Sequence, residues 1–193
     1  MGKLLETIKI VNGEIRHLAF HAARLNATRA TLFNIQTPID LREFIKNVPK
    51  IGIYRCRVIY AKQVEQVEYS LYQPKIFKCF KVIEDNSITY NFKFLNRQKL
   101  DDLFKIKGTA DDILLIKNGW VTDTTIANVA FWDGVQWLTP KVPLLKGTTR
   151  ARLLMDKKIF VENIKLADLR HFSKMAMLNA LLEFYPIADF VLS

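Results

Sequence analysis

The sequence predicts an α+β fold in two domains, a small N-terminal one over residues 1–72 and a larger C-terminal one over residues 73–193. Half of the 193 residues are hydrophobic and no low-complexity tract interrupts them, so a packed interior is expected along the whole chain. Asn12-Gly13, Asn118-Gly119 and Asp133-Gly134 each stand between apolar-alternating runs, the local signal for antiparallel hairpins. Helical patterns fall singly between such runs, without the regular βαβ alternation of a doubly wound sheet.

The elements follow in order. "ETIKIVNGEIRHL" alternates apolar residues around Asn12-Gly13 and reads as the opening hairpin. "AFHAARLNATRATLF" spaces Phe20, Ala23, Leu25, Ala27 and Leu32 roughly as a helix, with the Ala, Leu and Arg that favour one. Thr37 before Pro38 has the form of a helix cap followed by a first-turn proline, which predicts a second helix over "PIDLREFIKNV", stopped near Pro49. "IGIYRCRVIYA", "QVEYSLYQ" and "KIFKCFKVIE" are β-branched and aromatic at alternate positions and read as strands. Beyond them come a helix over Gln98 to Ile106, a strand at "DILLI", a strand pair "NVAFW" and "VQWLT", and a short helix at "TTRARLLMDKK". Short strands and helical turns then alternate to "FYPIADF".

Composition narrows the function. Cys56 and Cys79 have neither CxxC spacing nor a nearby His cluster, so they read as reduced, part-buried thiols, and no metal site is expected. The apolar runs are far shorter than the ~20 residues of a membrane span, and the N-terminus has no signal-peptide pattern. A soluble, cytoplasmic protein without a membrane partner is the expectation. The net charge of +10 is spread and interleaved with acids, as in "DLREFIK" and "FKVIED". That pattern suits attraction of anionic metabolites better than a dedicated nucleic-acid face, so no nucleic-acid partner is expected.

No Gly-rich phosphate loop and no GxSxG elbow occurs, so any chemistry must come from scattered residues. Five segments offer them. "FHAARL" puts His21 and Arg24 one helical turn apart on a shared face. "KFLNR" carries Lys93, Asn96 and Arg97. "NGWVTDTTIANVAFW" sets Asp123 among threonines before a buried-looking strand at Asn128. "LLKGTTRARLL" presents Gly147, Thr148 and Thr149 where a helix begins, a place suited to phosphate. "MLNALLEFYPI" places Asn179 inside an apolar run. Each alone also has an ordinary reading, such as a solvated helix face or a capped helix.

Taken in order, the five segments resemble the signatures of the fold-type IV, or class IV aminotransferase, family of pyridoxal-phosphate enzymes. The family has H-x-x-R-L after its first hairpin, K-x-x-N-R around its cofactor lysine, an acid ahead of an Asn-containing strand, and G-[IT]-T-R at a helix start. The resemblance runs from about Leu5 to Ile187 and looks closest to the aminodeoxychorismate lyase branch, through "NALLEFYPI". It implies a D-amino acid aminotransferase-like fold. The N-terminus reads as shortened, because the usual Gly-Asp-Gly-like segment does not precede "ETIKI".

The resemblance also implies roles. Lys93 would hold pyridoxal 5'-phosphate as a Schiff base and shuttle a proton, with Phe92, Phe94 and Leu95 supplying an apolar setting. Asp123 would partner the pyridine nitrogen, although the family usually has Glu there, one methylene longer. Arg24, Thr148 and Thr149 would hold the phosphate, with Asn128, Asn179 and Ala180 also at the cofactor and Arg97 at the substrate. "TTIA" between Asp123 and Asn128 lacks the small residues that many aminotransferase members place there. The expected partner is an anionic small-molecule amino substrate, and the expected assembly is a homodimer. β-Elimination releasing pyruvate is the leading reaction. Transamination of branched-chain or D-amino acids is the alternative, with non-catalytic binding of an anionic ligand or of pyridoxal phosphate as a reading from another class. A basic nucleic-acid-binding module is a weaker rival.

Overall fold

Asn12 and Gly13 both adopt positive φ, 49° and 86°, as a two-residue hairpin turn requires, and the strands on either side pair across them. These are β1 (Leu4–Val11) and β2 (Glu14–Ile15). The structure is a computed structural model in which residues 2–193 are described. By internal contacts the chain divides into two units. One runs to Pro74 and takes back Phe92–Asn96; the other holds Lys75–Asn91 and Arg97–Ser193. A single boundary between residues 72 and 73 does not anticipate that return, because it depends on pairing between segments far apart in the chain.

In the first unit, β3 (Ile53–Tyr60) and β4 (Val64–Leu71) complete a four-stranded antiparallel sheet in the order β2-β1-β3-β4. Helix α1 (Leu18–Phe33) covers one face, its Leu25 packing among Leu4, Ile8, Ile10, Cys56 and Val58. It ends at Asn34, whose φ of 57° is the left-handed conformation that stops a helix.

The helix expected over "PIDLREFIKNV" is absent. Only a single tight turn, Leu41–Glu43, forms, and Asp40 rather than Thr37 caps it. The reason is tertiary. Asn26 grips the Ile39 peptide from both sides, Nδ2 to Ile39 O at 3.0 Å and Ile39 N to Oδ1 at 2.8 Å. Arg29 also donates to Thr37 O at 2.7 Å. Two of these bonds take carbonyls, Thr37 O and Ile39 O, that a helix would use internally, and together they outweigh local propensity.

The second unit is a nine-stranded mixed sheet. Its elements are β5 (Cys79–Glu84), α2 (Gln98–Lys105), β6 (Asp112–Lys117), β7 (Trp120–Thr124), β8 (Asn128–Trp132) and β9 (Trp137–Pro140), then α3 (Thr148–Met155), β10 (Phe160–Glu162), β11 (Lys174–Asn179), β12 (Glu183–Ile187) and β13 (Val191–Leu192). The expected hairpins join β6 to β7 and β8 to β9. Three pairs are instead parallel: β5 with β6 across α2, β9 with β10 across α3, and β13 with β5.

Alternation along β8 and β11 explains why this sheet is covered on both sides. Val129, Phe131, Met175 and Met177 enter one apolar cluster, while Ala130, Ala176 and Leu178 enter another with Leu153 of α3. Central strands with two buried faces read as near-continuous apolar runs, as "DILLI" does. Asp123, in β7, is therefore set into a strand buried from Val121 to Thr124.

Candidate active site

In the first unit, every second residue of β1 faces the core, which places Glu6 between Leu4 and Ile8 in full burial. A lone carboxylate there would be costly. The two side chains that α1 sends to one face compensate it. Arg24 donates to both oxygens, Nε to Oε1 at 2.8 Å and Nη2 to Oε2 at 2.6 Å, and His21 Nδ1 lies 2.7 Å from Oε2. Burial alone would raise the Glu6 carboxyl; the Arg24 charge and the bonds from His21 and Arg24 outweigh it and hold the pKa down at about 2. Glu6 is thus ionised, and His21 Nδ1 donates to it. The pairing of His21 with Arg24 was legible in the sequence, whereas Glu6 was missed. Its signal was an acid at an inward position of the first strand.

Lys93 belongs to this unit. Phe94 N donates to Phe92 O at 2.9 Å, so Lys93 is the apex of a three-residue turn. That turn is stitched to the start of β1: Leu5 N donates to Lys93 O at 2.9 Å and Leu95 N to Lys3 O at 2.8 Å. Phe92 and Phe94 meet edge to face at 6.2 Å and are partly buried against the core of the same unit.

In the second unit, Asp123 and Asn128 face each other across the β7–β8 pair. Between them the turn is closed by Thr124, whose N–H donates to Ala127 O at 2.8 Å while its Oγ1 accepts from Ala127 N at 3.1 Å. Asp123 Oδ1 accepts from Asn128 Nδ2 at 2.8 Å and Oδ2 from Leu145 N at 2.8 Å. Burial pushes the carboxyl up to about 7, against those bonds and the Arg150 charge. Arg150 is itself buried and held by Thr139 Oγ1 at 3.2 Å and Pro140 O at 2.8 Å.

Thr148 and Thr149 are buried in the first turn of α3, behind the cap residue Gly147. A first turn leaves backbone N–H groups without helical partners, which suits an anion. Asn179 is engaged structurally: its Oδ1 accepts from Leu181 N and Leu182 N, and its Nδ2 reaches Ile126 O at 3.3 Å, so Ala180 sits in the turn it braces. Arg97 precedes α2 and pairs with Asp101 at 2.7 Å. Asp112, also overlooked in the sequence, is buried with its Oδ1 accepting from Thr125 Oγ1 at 2.7 Å. Its Oδ2 has no hydrogen-bond partner among the described residues.

The structure therefore gathers Asp123, Asn128, Thr148 and Thr149 in one unit, with Asn179 reaching the Asp123–Asn128 turn at Ile126 O, Arg97 elsewhere in the unit, and Arg24 and Lys93 in the other. Among the described residues no His, Cys, Asp and Glu cluster could hold a metal, and no helix is long and apolar enough to cross a membrane.

The α+β architecture, mostly strands with few helices, is that of the fold-type IV enzymes. Residues 3–190 match the family described as Amino-transferase class IV, so the chain belongs to that family of pyridoxal-phosphate enzymes, which act on small amino substrates. A crystal structure of a proposed 4-amino-4-deoxychorismate lyase from Haemophilus somnus is 33% identical, with a TM-score of 0.88 over 94% of this chain and 97% of that one. A Schizosaccharomyces pombe protein described as a proposed aminodeoxychorismate lyase is 28% identical over 82% of this chain and 75% of its own. A hypothetical aminotransferase of Mycobacterium tuberculosis in its PLP-bound form is 16% identical but shares the fold, with a TM-score of 0.79 over 100% of this chain and 81% of that one.

Proposed function

We propose that this enzyme uses pyridoxal 5'-phosphate, attached through Lys93, to carry out β-elimination on an anionic amino substrate with release of pyruvate, as an aminodeoxychorismate lyase does. The observation that carries the reading is the Asp123 carboxyl, buried beside the head of α3. Its oxygens accept from Asn128, Leu145 and Leu144, fewer donors than the four lone-pair sites a carboxylate offers. Burial has raised its pKa, so a cationic N–H partner would restore the ionised form. A protonated pyridine nitrogen is such a partner, so the acid fits the cofactor. The α3 first turn, with Thr148 and Thr149, fits its phosphate.

When bound, pyridoxal phosphate supplies an aldehyde that takes up amines and a ring that withdraws electrons from the substrate's α-carbon. The protein's residues do the rest. Lys93 would hold the aldehyde and, as a free amine, would take the substrate's α-proton at Nζ. Asp123 would keep the ring nitrogen protonated. Arg24 would bind phosphate oxygens, as would the backbone and hydroxyls of Thr148 and Thr149, and Arg97 would attract a substrate carboxylate. Cytoplasmic location and homodimeric assembly belong to the same reading.

Elimination is preferred over transamination because of the likeness to the proposed lyases, with the 33% identity to the H. somnus protein foremost. The test has two arms. Purified protein should be yellow, with an absorbance band that disappears in Lys93→Ala; a band unchanged in that variant would sink the assignment of Lys93. Pyruvate release from aminodeoxychorismate should exceed amino transfer from branched-chain or D-amino acids to a 2-oxo acid, and the reverse ranking would make the protein a transaminase. An enzyme that binds the cofactor without either turnover would favour the binding-protein alternative.

A further inference from the structure

Asn128 makes contacts in three directions. One amide hydrogen goes to Asp123 Oδ1 and the other to Leu145 O, each at 2.8 Å. The Leu145 N–H returns to Asp123 Oδ2 at 2.8 Å. These bonds close a ring in which the carboxylate, the Asn128 amide and the Leu145 peptide hold one another in place. The third direction belongs to Asn128 Oδ1. A Cβ added to Gly147 would stand 2.0 Å from that oxygen, far inside contact distance, so the chain entering α3 rests directly on it and any side chain there would displace the Asn128 amide. With both amide hydrogens used inside the protein, Asn128 has no donor left for a ligand.

We propose that Asn128 is a positioning residue: it joins the Asp123 carboxylate and the head of α3 into one rigid element, so that the direction of the acid and the placement of Thr148 and Thr149 are set together. This rests on the reading above, in which the acid takes the ring nitrogen and the helix head takes the phosphate. It goes further by making the two subsites mechanically one. A disturbance at the helix head then reaches Asp123 through Asn128, although Gly147 and Asp123 share no bond.

The experiment is a double-mutant cycle of Gly147→Ala and Asn128→Ala in the full chain. Two readouts are used. In cofactor-free protein, the Asp123 carboxyl is titrated by carbon-13 NMR. In binding experiments, affinities for pyridoxal phosphate and for pyridoxal are compared by equilibrium dialysis, and their ratio isolates the contribution of the phosphate.

Gly147→Ala alone should move the Asp123 midpoint and lower the affinity ratio by about tenfold. Asn128→Ala should raise the Asp123 midpoint, because the carboxylate loses a donor. In the Asn128→Ala background the added methyl meets no oxygen, so Gly147→Ala should change the ratio less than about twofold. Equal effects of Gly147→Ala in both backgrounds, or an Asp123 midpoint that ignores Gly147→Ala, would overturn the proposal. If Asn128→Ala does not fold, the Asp123 midpoint in Gly147→Ala decides alone. Equal wild-type affinity for pyridoxal phosphate and pyridoxal would instead defeat the assignment of the phosphate, leaving the coupling to be judged on the cofactor-free titration.

Discussion

Arg24 and Glu6 form a two-point ion pair, with the guanidinium Nε and Nη2 on separate carboxylate oxygens at 2.8 and 2.6 Å, and Glu6 has no exposure to solvent. The residue proposed to bind phosphate is therefore aimed by a second residue from the neighbouring strand. Glu6→Gln removes the charge that compensates Arg24 while keeping the shape. Losing one partner of a buried pair should cost about 3 kcal/mol. Urea unfolding followed by far-UV circular dichroism measures it; a loss well below 1 kcal/mol would mean that the pair behaves as a surface contact.

The same carboxylate sets an acid limit. Its folded pKa is depressed from 4.5 to about 2, so its contribution to stability is complete above 4.5 and is lost as pH falls toward 2. Wild-type protein should lose stability across that window, and the difference between wild type and Glu6→Gln should shrink in parallel. A difference that stays constant from pH 5 to pH 2 would contradict the ionised state assigned to Glu6.

Asp123 acts in the opposite sense. Its folded pKa is raised from 3.8 to about 7, so the folded protein holds a proton that the unfolded chain has released. Its contribution is therefore greatest below 3.8 and declines as pH rises to about 7, then levels off. Relative to Asp123→Asn, which cannot titrate, cofactor-free wild type should lose stability over that interval. Denaturation midpoints at a series of pH values for both proteins give the answer, and parallel curves would refute it.

Asn26 tests why the predicted second helix did not form. Removing its side chain in Asn26→Ala leaves the Ile39 N–H and C=O without their partners, a cost of about 1–3 kcal/mol. The Ile39 amide should exchange with solvent faster, while amides of β6 should be unaffected. Unchanged protection at Ile39 would show that the extended segment is held by packing of Ile39, Leu41 and Ile45 instead.

The hairpin turns were legible because Asn-Gly carries its positive-φ preference within two residues, and alternation along β1 and β3 needs no distant partner to be recognised. The parallel pairing of β5 with β6 was not legible, since strand direction depends on how the chain returns across α2. At the site, the spacing of His21 and Arg24 showed that they share a helix face, yet nothing local showed that Glu6 was what they face. Asn128 could be picked out beside Asp123, but its closure onto Leu145 and Gly147 could not.

By itself the sequence determined the α+β character, the places where the chain reverses, and the residue types available for chemistry, because each follows from dihedral preference or periodicity over a few neighbouring residues. Only the tertiary structure decided which charges are buried, which carboxylate holds a proton, and why a side chain at Gly147 would displace the Asn128 amide. Those properties arise where segments distant in sequence come within 3 Å of one another, as Asn128 and Leu145 do at 2.8 Å, and desolvation there changes the energy of every polar group involved.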